Sequence, residues 1–77
     1  MDLTYADHAL DRMALRAVTE QQVKDVLTRP IGQPDAGDPG KLSYVGYVSG
    51  GQKPMLKVVV SATDRTHIIT TYWRDRP

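Results

Sequence analysis

The sequence predicts an α+β fold in which two N-terminal helices pack on an antiparallel β-meander of three strands, or four. Two observations predict it. Apolar side chains recur at helical spacing up to residue 29, and three runs rich in β-branched residues follow after residue 41. Because short turns connect these runs, neighbouring strands are expected to be antiparallel. Helices grouped apart from the strands cover one sheet face and leave the other free to bind a ligand.

The first helix is predicted over residues 5–17. Thr4 can cap it, because a threonine hydroxyl accepts a hydrogen bond from a free backbone N–H group of the first turn. His8 is then expected one turn inside the helix, on the solvent side. The predicted buried face carries residues at helical spacing, namely Ala6, Leu10, Met13 and Ala17.

The second helix is predicted over residues 19–29. Thr19, followed three residues later by Gln22, is the pattern of a capping box. Pro30 ends the helix, because the residue before a proline is driven out of the helical region. The expected buried stripe is Val23, Val26 and Leu27.

Residues 30–41 are dense in glycine and proline and are predicted to form a mobile loop. The strands are predicted over residues 42–48, 55–62 and 67–73. Alternation along the third strand separates two faces, and we expect Ile69 and Trp73 to face the helices.

Composition limits the class of protein. The 77 residues are expected to form one domain, 1–77, and their net charge of +1 argues against binding nucleic acid mainly through bulk electrostatics. Any nucleic-acid contact must therefore be local. With no cysteine and no familiar metal-ligand spacing, we expect no metal and no other cofactor. The start of the chain lacks a secretory signal and no apolar run is long enough to cross a membrane, so we expect a cytoplasmic protein.

The most informative segment runs from His8 to Arg16. On a helix, Arg12 and Arg16 lie about 40° and 80° round from His8, on the side opposite the apolar residues. The two arginines repel each other, and an acidic residue at either position would avoid that cost. A stripe of one imidazole and two guanidiniums is suited to gripping a phosphate.

Each of these residues also has a simpler interpretation. His8 can be an exposed histidine with no task, and Arg12 and Arg16 can be solvated or paired with aspartates of the long loop. Lys57 can be an ordinary solvent-facing strand residue. Thr70 and Tyr72 can be strand formers that pack across strands, and His67 is expected to be structural or idle. Base stacking by aromatic residues is the alternative to core packing for Tyr44, Tyr47, Tyr72 and Trp73, and for Trp73 core packing is favoured.

The chain resembles the small bacterial domain family of unknown function numbered 4258, over nearly its whole length. It departs from that family at Ala17, where we expect the family to have glycine. The resemblance is carried by an ordered set of segments: His8-Ala-x-x-Arg12-x-x-x-Arg16-x-Val18-Thr19, Val23, Val26-Leu27-x-x-Pro30, Tyr44, Leu56-Lys57-Val58-Val59-Val60 and Ile68-Ile69-Thr70-Thr71-Tyr72.

The helix-helix-strand-strand-strand layout of that family is similar to the metal-independent ribonuclease superfamily of barnase, the EndoU-type nucleases, the tRNase colicins and RelE-like toxins. Several members pair a helical histidine with a Thr-x-Tyr or Ser-x-Tyr on a late strand, which Thr70-Thr71-Tyr72 matches here. The resemblance therefore implies His8, Thr70 and Tyr72 as catalytic residues.

Cleaving RNA without a metal needs a base for the ribose 2′-hydroxyl, an acid for the leaving 5′-oxygen and cations for the phosphoryl oxygens. His8 can serve as acid or base near neutral pH, and Asp11 can hold its imidazole in one tautomer. Arg12, Arg16 and Lys57 are the expected phosphate-binding residues.

Two functions follow as hypotheses. The first is a small toxin-like, metal-independent endoribonuclease that cleaves RNA by 2′-hydroxyl attack. The alternative is a non-catalytic module that binds RNA or a protein, such as one component of a toxin–antitoxin pair with a neutralising partner. Because a three-stranded sheet leaves two edges that can pair with another chain, a homodimer or strand addition by a partner is also expected.

Overall fold

The protein folds as two helices packed on one face of a four-stranded mixed sheet, so the predicted α+β class is confirmed. The computed structural model describes residues 2–75. The strand order is β1-β4-β3-β2, and β2, β3 and β4 form the predicted antiparallel meander. The elements are β1 (Thr4–Tyr5), α1 (Ala9–Leu15), α2 (Glu20–Thr28), β2 (Lys41–Tyr47), β3 (Met55–Ser61) and β4 (His67–Arg74).

The N-terminal segment corrects the predicted first helix. Thr4 does not cap a helix but lies in β1, which runs parallel to the start of β4. Its hydroxyl lies 2.8 Å from Nδ1 of His67, so that histidine links the two strands. Helix α1 begins only after His8, the N-cap residue, whose φ of 69° is left-handed. Because the chain enters α1 from β1 through this left-handed residue, the helix turns a different face to the sheet from the predicted one. Ala9 and Met13 are buried, while Leu10 is 57% exposed.

Helix α1 ends in a Schellman motif built on an alanine. The N–H of Val18 donates to the carbonyl of Met13 at 2.8 Å, and the N–H of Ala17 donates to that of Ala14 at 3.2 Å. Ala17 consequently has a φ of 56°, a left-handed conformation that glycine adopts without steric cost. This left-handed conformation explains why we expect glycine at this position in the family.

Replacing Ala17 with glycine is therefore expected to stabilise the protein by about 0.5–1 kcal/mol, which is the relief of left-handed strain less the added freedom of the unfolded chain. Chemical denaturation of the two proteins measures the difference. Ala14→Gly is the matched control, because Ala14 lies inside α1 and the same change there should destabilise by about 1 kcal/mol. Equal destabilisation by both variants would contradict the assigned cause.

Helix α2 begins as predicted. The Thr19 hydroxyl accepts from the backbone N–H of Gln22 at 3.1 Å, and the Gln22 side chain accepts from the backbone N–H of Thr19 at 2.9 Å, which completes the capping box. The amide nitrogen of Gln22 also donates to the carbonyl of Ser49 at 2.9 Å. This buried side chain thus fixes the helix start and ties α2 to the turn after β2.

The core lies between the helices and one sheet face, and a β-bulge decides which residues of β4 enter it. The register shifts between Val59 and Val60, so simple alternation fails along β4. Ile68 is fully buried in the core, whereas Ile69, which alternation placed there, is not part of it. Trp73 packs against the core as predicted. The buried cluster comprises Met13, Val18, Val23, Val26, Tyr44, Leu56, Val58, Val60 and Ile68.

The segment predicted as a loop lies along the outer edge of β2. The N–H of Ile31 donates to the carbonyl of Val45 at 2.7 Å, and Asp35 and Ser43 exchange backbone hydrogen bonds of 2.9 and 2.8 Å. The sheet edges are thus less open than predicted, since this segment flanks β2 and β1 flanks the start of β4. No helix within residues 2–75 has the length and apolar character needed to cross a membrane.

Candidate functional site

The sheet face turned away from the helices carries the candidate site, and we call it the open face. Its side chains form rows that cross β2, β3 and β4 in register. The rows are Ser43-Val59-Thr70, Val45-Lys57-Tyr72 and Tyr47-Met55-Arg74. Alternation along β3 explains this arrangement, because Leu56, Val58 and Val60 point into the core and the intervening residues share the other face.

A cleft of about 590 Å³ lies on the open face. The strands form its floor, and the segment beside β2 forms one wall. Because Asp35 is paired with Ser43, the first row continues outward to Asp35 at the edge of the sheet. The cleft is lined by Asp35, Gly37, Asp38, Lys41, Ser43, Lys57, Val59, Thr70, Tyr72 and Arg74.

Arg16 reaches the open face round the edge of β4. Its guanidinium donates to the carbonyl of Thr71 and lies 4.9 Å from the centroid of the Tyr72 ring, close enough for a cation–π contact. The carbonyl of Arg16 in turn accepts from the indole Nε1 of Trp73 at 2.6 Å. Two anchors therefore hold the end of α1 against β4 and place a permanent cation beside Tyr72.

The cleft is electrostatically divided. Lys57 and Arg74 lie on the central and far strands, whereas Asp35 and Asp38 lie on the wall beside β2 with Lys41 near them. Within residues 2–75 none of these five charged groups belongs to an ion pair, because the pairs found there join His8 to Asp11, Lys24 to Glu20 and Lys53 to Asp75. The cleft cations are therefore available to an anionic ligand.

Thr70, on the floor of the cleft, has a buried hydroxyl group. The residue is only 7% exposed, and its Oγ1 has no hydrogen-bond partner among the described residues. Buried hydroxyls in native proteins are generally paired, so each exception requires an explanation. Thr71 on the core side has the same property.

His8 and Arg12 lie outside the lining of the cleft. The His8 side chain is exposed at the start of α1, with its Nδ1 3.8 Å from a carboxylate oxygen of Asp11. Since an α-helix rises about 1.5 Å per residue, His8 lies about 12 Å along the helix from Arg16. Arg12 is exposed between them. The structure therefore does not place His8 and Lys57 around one point in the cleft.

Shifted pKa values lie away from the cleft. Burial raises the pKa of the Tyr5 phenol, and the neighbouring Glu20 carboxylate raises it further. Hydrogen bonds from the side chain and the backbone of Thr66 lower the pKa of the Asp64 carboxyl in the turn before β4. Both groups belong to the supporting structure. In the part of the chain that the structure describes, no three or more His, Cys, Asp or Glu side chains group closely enough to hold a metal ion.

Residues 5–73 match the model of a family described as a domain of unknown function, DUF4258. The chain belongs to this family. No curated protein and no solved structure matches it. The match includes both helices and every cleft residue of this DUF4258 protein except Arg74.

Four of the six site residues predicted from the sequence come together in this DUF4258 protein. Lys57, Thr70 and Tyr72 line the cleft, and Arg16 stacks on Tyr72. Sequence reasoning missed Arg74, although alternation along the third strand places it on the same face as Tyr72. It also missed the acidic wall and Lys41, because only the folded path of the segment beside β2 brings them to the cleft.

Proposed function

We propose that this protein is a metal-independent endoribonuclease with its active site on the open face. One observation supports this most. Lys57, Thr70 and Tyr72 share a cleft, and the Arg16 guanidinium lies 4.9 Å from the centroid of the Tyr72 ring. Cations grouped on one strand face can stabilise the negative charge that develops on a phosphoryl group. The ribonuclease superfamily resemblance gives the reaction type.

The reaction needs two proton transfers. The 2′-oxygen loses its proton to a base and bonds to phosphorus, the bond from phosphorus to the 5′-oxygen breaks, and an acid protonates that oxygen. The products are a 2′,3′-cyclic phosphate and a 5′-hydroxyl. Tyr72 is the candidate for proton transfer at the cleft, between Arg16 and Lys57. His8 is the candidate outside it, and it requires the RNA to extend along α1.

In this proposal Lys57 and Arg74 hold the phosphoryl oxygens from the floor of the cleft, and Arg16 holds them from its edge. Arg12 contacts the RNA outside the cleft, because it is exposed on α1.

Purified protein incubated with total RNA and transfer RNA in EDTA is expected to yield fragments ending in 2′,3′-cyclic phosphate. EDTA removes metal-dependent contaminants from the result. Tyr72→Phe and His8→Ala are each expected to abolish cleavage if the altered residue makes either of the two proton transfers. Loss of cleavage in both variants would assign one transfer to each residue. Tyr47→Phe is the matched control, since this exposed tyrosine does not line the cleft.

Binding without turnover is the second candidate function, and it is favoured because His8 is not among the residues that line the cleft. A folded sample that binds RNA but leaves it intact in this assay would identify a non-catalytic RNA-binding module. A sample that neither binds nor cleaves RNA would overturn both proposals and direct the search to a protein partner.

A further inference from the structure

Three consecutive residues of β4 contact Arg16, and we call them the arginine clamp. The guanidinium donates to the backbone carbonyl of Thr71 and lies over the ring of Tyr72, 4.9 Å from its centroid. Trp73, which packs against the core, donates its indole N–H to the carbonyl of Arg16 at 2.6 Å. The clamp therefore fixes both the backbone and the side chain of this arginine.

The indole of Trp73 acts as a cap for the end of α1. Arg16 is the C-cap residue, and the last carbonyls of a helix have no partner within the helix. The indole ring is itself enclosed, since it lies so close to Gly51 that a Cβ there would be 2.2 Å from a ring carbon. The position of Arg16 is thus set from the core side of β4, whereas its guanidinium lies beside Tyr72 on the open face.

The clamp leaves the positive charge of Arg16 without a counter-ion. A carbonyl oxygen and a ring face are uncharged, and within residues 2–75 no carboxylate forms an ion pair with this arginine. An arginine kept only for stability would gain more from a carboxylate, because a charge-assisted hydrogen bond is the stronger one. A guanidinium has five N–H donors, and the hydrogen bond to Thr71 leaves most of them for an anion.

We propose that Trp73 is a positioning residue of the open-face site and holds Arg16 ready to contact a phosphate beside Tyr72. This rests on the proposed function and explains how one of its cations is preorganised. A free arginine side chain loses its rotamer freedom when it binds a phosphate, whereas a clamped one has already lost it. Trp73 is not among the residues that line the cleft, so it acts through Arg16.

The test is a double-mutant cycle with two readouts in EDTA. They are single-turnover RNA cleavage and binding of a 2′-O-methyl RNA oligonucleotide, which has no 2′-hydroxyl proton and cannot be cleaved. Trp73→Phe keeps an aromatic ring without the N–H, and it is expected to slow cleavage about tenfold and weaken binding about threefold. In an Arg16→Gln background the same change is expected to alter either quantity by less than about twofold, because the clamped cation is already absent.

A packing control and a spectroscopic readout accompany the cycle. Val23→Ala truncates a fully buried residue of α2, which packs on β2 and β3, and should leave cleavage and binding by the folded protein unchanged. The chain has one tryptophan, so its indole N–H gives a single NMR signal. That signal is expected to shift when the oligonucleotide binds the unaltered protein and to remain in place in Arg16→Gln. This measurement leaves Trp73 itself intact.

The outcomes separate the positioning role from the proposed function. Normal cleavage and binding by Trp73→Phe would reject the positioning role and leave the ribonuclease proposal intact. An equal loss in the Arg16→Gln background or in Val23→Ala would assign the effect to packing and also reject the role, as would an indole signal that does not respond to bound RNA. Binding that depends on Trp73 only while Arg16 is present, in a protein that cleaves nothing, would support the role and reject only catalysis. A protein that neither binds nor cleaves RNA would overturn both.

Discussion

Lys57→Met is expected to reduce RNA cleavage by about 10²–10³-fold, the usual effect of removing one group that stabilises transition-state charge. Lys57 lies at the centre of the open face, between Val45 and Tyr72 in its row. Its ammonium group belongs to no ion pair within residues 2–75, so it is available to neutralise a phosphate. Methionine keeps most of the aliphatic stem, and the expected loss is therefore one of charge and not of packing.

The measurement is the rate of appearance of cyclic-phosphate ends under single-turnover conditions, with thermal unfolding of each variant alongside. Lys53→Met is the matched control, because Lys53 pairs with Asp75 outside the cleft. This variant is expected to cleave RNA at the normal rate. If both variants fold and cleave RNA at the same rate, the open face is not the active site. Loss of activity accompanied by loss of folding would instead assign Lys57 to the structure of the sheet.

The elements predicted well are those whose signals are local in sequence. Helix α2 was predicted from Thr19, Gln22 and Pro30, and its capping box forms between residues only three apart. The three meander strands were also predicted, because β-branched runs and short turns identify antiparallel neighbours without long-range information. In both cases the physical cause and the sequence signal lie in the same segment.

The features that the sequence does not predict depend on partners distant in the chain. Strand β1 has two residues and no periodicity of its own, and it forms because Thr4 meets His67, 63 positions away. The bulge at Val59 and Val60 likewise has no sequence signal, yet it exchanges Ile69 for Ile68 in the core. Because the chain before His8 forms β1, helix α1 begins only after His8. The predicted helical stripe of His8, Arg12 and Arg16 therefore does not form.

The candidate site shows the same contrast. Lys57, Thr70 and Tyr72 lie together because strand alternation placed them on one face, which the sequence makes visible. Arg16 joins them by a different route from the predicted one, since it crosses the edge of β4 to reach Tyr72. The acidic wall depends on backbone hydrogen bonds between Asp35 and Ser43, which composition alone cannot indicate.

The contact between Gly51 and Trp73 provides the second large expected effect, this time on stability. A Cβ at Gly51 would lie 2.2 and 2.3 Å from two carbons of the Trp73 ring and 3.2 Å from the carbonyl of Lys53. The ring cannot easily move away, because it packs on the core and its Nε1 donates to Arg16. Gly51→Ala is therefore expected to destabilise the protein by about 1–3 kcal/mol, as overpacking usually does.

A loss of that size is large for 77 residues, since the whole free energy of unfolding is expected to be about 4–12 kcal/mol. Denaturant unfolding measures it, and Gly37→Ala is the control, because a Cβ there meets Asp35 at an ordinary 3.8 Å. A double-mutant cycle with Trp73→Ala tests the cause: without the indole ring, Gly51→Ala should cost little. An unchanged cost in that background would refute the clash. If Gly51→Ala costs nothing without the ring, the turn after β2 packs on Trp73 as the structure shows. Since Trp73 also holds the end of α1, this turn then helps to fix the position of Arg16 beside the cleft.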